Sequence, residues 1–153
     1  MTAPKTQWSL NTFTPEGLAV NYFGGIAVTY FGNEVSPDGR LIAAKDTQGN
    51  FMLFPLEGGE PRPVPAAKPD EALAGWGADS QSIYVYPIEG DLPVRIDAID
   101  LYSGRRQPLK EITPPDVQAF GGIEHVVVTP GAKAYAYQYG QYLCILYVIE
   151  GLR

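Results

Sequence analysis

The sequence predicts an all-β protein made of consecutive antiparallel sheets of about four strands each, and three observations predict it. Gly (17), Pro (14) and Tyr (10) are abundant, while charged residues make up only 18% of the 153-residue chain. That composition suits short strands joined by tight turns better than long helices. Runs such as "RLIAAK" (40–45), "SIYVYP" (82–87) and "KAYAYQY" (133–139) alternate with a period of two, as strands do. The stretch 35–65, "VSPDGRLIAAKDTQGNFMLFPLEGGEPRPVP", reads turn, strand, turn, strand, turn, strand, and it recurs along the chain. At this length, folding buries about two thirds of the unfolded surface, enough for a substantial core.

The elements follow in order. "QWSLNTF" (7–13) is a strand-like run ended by the turn "TPEG" at Thr14 to Gly17. Residues 21–33, "NYFGGIAVTYFGN", form an aromatic insertion ahead of the first repeat. The repeats begin with strands at about 26–35, 71–77 and 122–128, each leading into a turn: "SPDG" at Ser36, "ADSQ" at Ala78 and "TPGA" at Thr129. The alternating strand quoted above comes next in each copy, with one face expected to pack and the other to be looser. A further strand ("NFMLFPL", "RIDAIDL", "CILYVIE") precedes the glycine turns Gly58-Gly59, Ser103-Gly104 and Glu150-Gly151. Two copies add a more polar edge strand, "EPRPVP" and "RRQPLKEI", where Pro61, Pro63, Pro65 and Pro108 fit because an edge tolerates a missing N–H.

The copies recur at roughly 40 to 50 residues, the length of a four-stranded β-propeller blade. The expected organisation is a single partial propeller with blade 1 at about 26–65, blade 2 at about 71–112 and blade 3 at about 122–150. Residues 7–13 then supply a closing strand. Three blades are fewer than the four to eight that close a ring. The expected assembly is a homodimer in which each chain lends its N-terminal strand to the third blade of the other, so that no edge is left open.

These repeats resemble those of TolB-like (WD40-like, PD40) β-propellers. From about Trp8 to Arg153 the chain is similar to the C-terminal propeller of bacterial, notably acidobacterial, serine/threonine protein kinases, most specifically in "KAYAYQYGQYLCILYVIEGLR" (133–153). The resemblance implies a sensory or interaction module attached to a signalling protein. It departs at "ADSQ" and "PGAK", where an Asp-Gly turn is expected, and at Gly140-Gln141, where the family has basic residues. No kinase is implied, because the Gly-rich phosphate loop, strand lysine, catalytic Asp and metal-binding Asp are all missing from the sequence.

Other chemistry finds little footing. A net charge of −6 without a run of Lys or Arg disfavours nucleic acid. One Cys, Cys144, in an apolar run, and one His, His125, make no metal-ligand set, so neither a metal nor a cofactor is expected. His125 follows Glu124, but neighbours on a strand point to opposite faces. No GxSxG elbow provides a nucleophile. Asp38, Asp46, Asp79, Asp97 and Asp100 read as turn and strand-end residues. Gly24-Gly25, Gly58-Gly59 and Gly121-Gly122 read as turns rather than phosphate loops. Tyr135, Tyr137 and Tyr139 share a sheet face and are expected to pack between blades.

The expected function is non-catalytic ligand or protein binding by a rigid stack of blades. The candidate recognition residues are the insertion aromatics Tyr22, Phe23, Tyr30 and Phe31, together with Trp76, since Tyr and Trp give large contact area at low entropy cost. A hydrolase or peptidase accessory domain and a purely structural half-propeller stand as alternatives. No apolar run is long enough to span a membrane. Taken as complete, the chain is expected in the cytoplasm; as a piece of a membrane-anchored sensor it would face the periplasm.

Overall fold

A computed structural model describes residues 21–23, 26–28, 35–46 and 48–142, the first two segments as backbone only. All eleven elements are β-strands in antiparallel sheets, and the described residues contain no helix, hence none that could cross a membrane. β1 (Asn21–Phe23) pairs antiparallel with β2 (Ile26–Val28). Sheet 1 is β3 (Leu41–Lys45), β4 (Phe51–Pro55) and β5 (Arg62–Pro63). Sheet 2 is β6 (Glu71–Trp76), β7 (Ser82–Pro87), β8 (Val94–Asp100) and β9 (Arg106–Ile112), paired in chain order. Sheet 3 is β10 (Phe120–Val128) and β11 (Tyr135–Gln141).

These bounds follow the sequence reading closely. Edge prolines sit where expected: Pro63 in β5 and Pro108 in β9, each at the end of its sheet's strand order. Of the expected strand 26–35, residues 29–34 lie outside the described residues; Ile26–Val28 pairs with Asn21–Phe23, and Val35 forms an isolated antiparallel bridge with Ile42. The closing strand 7–13 and the run "CILYVIE" lie outside the described residues.

Sheet 2 is packed on both sides. Ile83, Val85, Ile99 and Leu73 meet Ala43, Phe51, Leu53 and Val64 of sheet 1 and its flank. On the opposite face Tyr84, Tyr86, Val94 and Ile96 meet Ile123, Val126 and Val128 of sheet 3. The alternation in "SIYVYP" therefore does not separate a packed face from a loose one. Ile83 to Tyr86 are all buried, because each face of β7 has a neighbouring sheet. Full burial of Ile83, Ile96 and Ile99 contributes roughly 2 kcal/mol each.

The sheets are joined at equivalent places. Ser36, Gly77 and Thr129 each open a turn in which the residue three positions on donates its N–H back to their carbonyl. Those donors, Gly39, Ser80 and Ala132, all have positive φ (72°, 59° and 57°). The structural repeat thus begins at Gly77, one residue earlier than the alignment of Ser36 with Ala78, and Asp79-Ser80 is the counterpart of Asp38-Gly39. The Asp79 carboxylate accepts the Gln81 N–H as that of Asp38 accepts the Arg40 N–H. Neighbouring turns touch: the Asp38 N–H donates to Ser80 Oγ at 3.1 Å. At the first strands the backbones themselves meet. Gly75, at a bulge in β6 with φ +151°, lies so close to β10 that a Cβ there would stand 2.5 Å from the Val128 carbonyl oxygen.

A charged group is buried on the sheet 1 side of sheet 2. The Arg106 guanidinium reaches Glu71 Oε1 at 2.5 Å and Asp97 Oδ2 at 3.0 Å, and it donates to the Ala66 carbonyl. Glu71 also accepts the Lys68 N–H. Asp97 Oδ1 has the Arg95 Nε 2.9 Å away, an ion-pair contact without hydrogen-bonding geometry. Asp97 is therefore a buried mid-strand residue and not the turn or strand-end residue expected from sequence. The hydrogen bond to Glu71, above all, raises the affinity of Arg106 for its proton, with burial opposing.

Two turn carboxylates make an acid-side prediction. Asp38 is held below its ordinary 3.8 first by the Ser36 hydroxyl and then by the Arg40 N–H. Asp100 is lowered by the backbone N–H and then the hydroxyl of Ser103. A lowered folded-state pKa means that the stabilisation is fully present above the unfolded value and disappears as pH falls through the folded one. Carboxyl carbon NMR titration is expected to give midpoints below 3.8 for both, with the turns loosening only there. A midpoint at or above that value for either residue would count against these turns.

Candidate functional site

Sheets 2 and 3 meet tightly at Gly75 and Val128 but part at the other end of β10, leaving a cleft of about 340 Å³. One wall is the connection from β7 to β8. The Ile88 N–H donates to the Asp70 carbonyl, which extends the β6–β7 pairing one step past Pro87. The chain then turns outward through Glu89, Gly90 and Asp91, all exposed, before buried Val94 begins β8. The Leu92–Pro93 peptide in this connection is cis.

The other wall is the start of β10. Bulges between Phe120 and Gly122 and between Ile123 and His125 break its register with β11 and disrupt the regular strand there. Gly122 has φ +120°, and among the described residues nothing lies within 4 Å of where a Cβ would sit. At Gly121 a Cβ would come within 2.9 Å of the Tyr142 ring, which is 70% exposed beside the cleft. The Tyr142 N–H donates to the Ala119 carbonyl and fixes this neighbour in place.

The chemistry of the cleft is simple. Ile88, Phe120 and Ile123 give it apolar patches within a lining that is otherwise polar, Glu89 and Asp91 add two carboxylates, and among the described residues no Lys, Arg or His lines it. Such a space can exclude water from a ligand's apolar part while presenting negative charge at its mouth. Among the described residues no group of three or more His, Cys, Asp or Glu stands together as metal ligands.

Of the residues singled out from sequence for recognition, Trp76 alone is described with its side chain, and it does not line this cleft. Trp76 is 3% exposed and lies in the core between sheets 1 and 2, so its ring offers no face to a ligand. Tyr22 and Phe23 fall on β1, whose side chains are outside the described residues, as are Tyr30, Phe31 and Cys144 altogether. His125 is exposed and opposite Gln138, which donates to Glu124. Tyr135, Tyr137 and Tyr139 do run along one face, with ring centroids 6.3 and 6.1 Å apart. Tyr137 and Tyr139 pack on the sheet 2 core, and Lys110 Nζ lies 5.3 Å over Tyr135. Burial pushes the phenols of Tyr84 and Tyr86 up, and the Tyr86 hydroxyl donates to the Glu124 carbonyl across the two sheets.

Sequence reasoning passed over Glu89, Asp91 and Phe120, and it took Gly121-Gly122 for an ordinary turn. The available signal was "EGD" (89–91), an acidic, strand-averse connection inside an otherwise apolar repeat. No protein-family model matches the chain, and no curated protein matches its sequence.

Proposed function

We propose that the chain is a run of three TolB-like propeller blades acting as a non-catalytic binding module, the sensory or interaction part of a kinase-like signalling protein. The observation that carries the reading is the repeated way the sheets stack. Equivalent turns touch, through Asp38 and Ser80, and first strands converge, through Gly75 and Val128. Convergence of first strands with separation elsewhere is how blades fan around an axis, and a rigid fan presents its inter-blade clefts and loops without rearrangement. The cleft beside Glu89 and Asp91 is then the binding surface.

Closure is proposed to come from a second copy, each chain lending residues 7–13 to the other. Light scattering after size exclusion is expected to give a dimer near twice 16.6 kDa, and a version lacking residues 1–13 is expected to dissociate or aggregate. A monodisperse monomer in both forms would remove the closed ring and leave an open stack.

A further inference from the structure

We infer that the cleft between the β7–β8 connection and the start of β10 receives a basic side chain, arginine or lysine, carried on an extended peptide segment. The inference rests on reading this cleft as the binding site. What carries it is the half-open cleft together with its walls. About 340 Å³ lies at the small end of ligand sites, roughly 300 to 1,000 Å³, and so favours one long side chain with its flanking backbone. Ile88 and Phe120 offer apolar surface to an aliphatic stem, while Glu89 and Asp91 stand where the cationic head would remain near water.

Charge separates the ligand classes. With two carboxylates, no cation among the described lining residues and a chain charge of −6, an anionic group meets net repulsion. A metal ion is poorly served, since Ca²⁺ takes about six to eight oxygen ligands and only two carboxylates line the cleft. A guanidinium suits two carboxylates better, because its planar fork can bond both while the stem packs. The open backbone at Gly122 lets a peptide main chain come close without meeting a side chain.

The test uses the full chain labelled with ¹⁵N, titrated with acetyl-Gly-Arg-Gly-amide, acetyl-Gly-Lys-Gly-amide, their Leu and Glu counterparts, and calcium chloride. The amides of Gly90, Gly121 and Gly122 are followed. Expected are shifts at these amides with the Arg and Lys peptides alone, weakened by added salt and by about three- to thirtyfold in Glu89→Gln/Asp91→Asn. Both substitutions are at exposed positions, and an unchanged spectrum elsewhere verifies the fold. Equal shifts from the Leu or Glu peptide, shifts from calcium alone, or an unweakened double variant would overturn the basic ligand while keeping the cleft as a site. No shift at these amides with any probe would overturn the cleft itself as the binding surface.

Discussion

Gly75→Ala is expected to destabilise the protein by about 3 kcal/mol or more, from two costs that add at one position. The first is steric. The new Cβ would stand 2.5 Å from the Val128 carbonyl oxygen, and because the obstacle is backbone in a neighbouring sheet, no rotamer change relieves it. Overpacking of this kind costs about 1 to 3 kcal/mol. The second is conformational, since φ +151° is a region that residues with a Cβ rarely adopt, at about 1 to 3 kcal/mol. Gly39→Ala is the milder comparison: its φ of +72° is the left-handed region that Ala132 also adopts (57°), and among the described residues nothing lies within 4 Å of its Cβ position, so it should cost about 1 kcal/mol. Urea unfolding of both variants provides the comparison. Equal losses would mean that β6 and β10 do not approach as described, and the stacking of sheets 2 and 3 would have to be redrawn.

Arg106→Met is expected to cost about 3 to 5 kcal/mol, because it strands the carboxylates of Glu71 and Asp97 in the interior. The Arg106 contacts join β9 to β6, β8 and the connection at Ala66, so its loss is felt across sheet 2 and the segment that leads into it. Arg95→Met, by contrast, removes a cation whose side chain is 56% exposed and should cost less than about 1 kcal/mol. Neutralising the acids along with the arginine, in Glu71→Gln/Asp97→Asn/Arg106→Met, should recover much of the loss, since the main cost is an uncompensated buried charge rather than the missing bond. Chemical denaturation of the four proteins decides it. A loss for Arg106→Met no larger than for Arg95→Met would show that the cluster is solvated and contributes little.

Much of the strand plan was legible. Alternation marked β3, β7 and β11, and prolines marked the edges β5 and β9, because period and missing N–H groups are local properties. The start of the second repeat was misread by one residue. Ser80 occupies the positive-φ position that Gly39 holds in the first, and the sequence signal for that conformation is glycine. Asp97 looked like a turn residue for a similar reason: acidic residues are favoured in turns, and only the arrival of Arg106 from β9 makes a mid-strand carboxylate tolerable.

The chain by itself determined that it would form short antiparallel strands in repeating units, and which of those strands could lie at an edge. Tertiary structure alone decided which faces are buried. Trp76 became core, and β7 was covered on both sides, because a strand's pattern records that a side chain is apolar but not how many sheets surround it. The cleft was decided there too. Sheets 2 and 3 touch at Gly75 and Val128 and leave the cleft at the other end of β10, and a gap between sheets is a property of their mutual geometry that no single stretch of residues encodes.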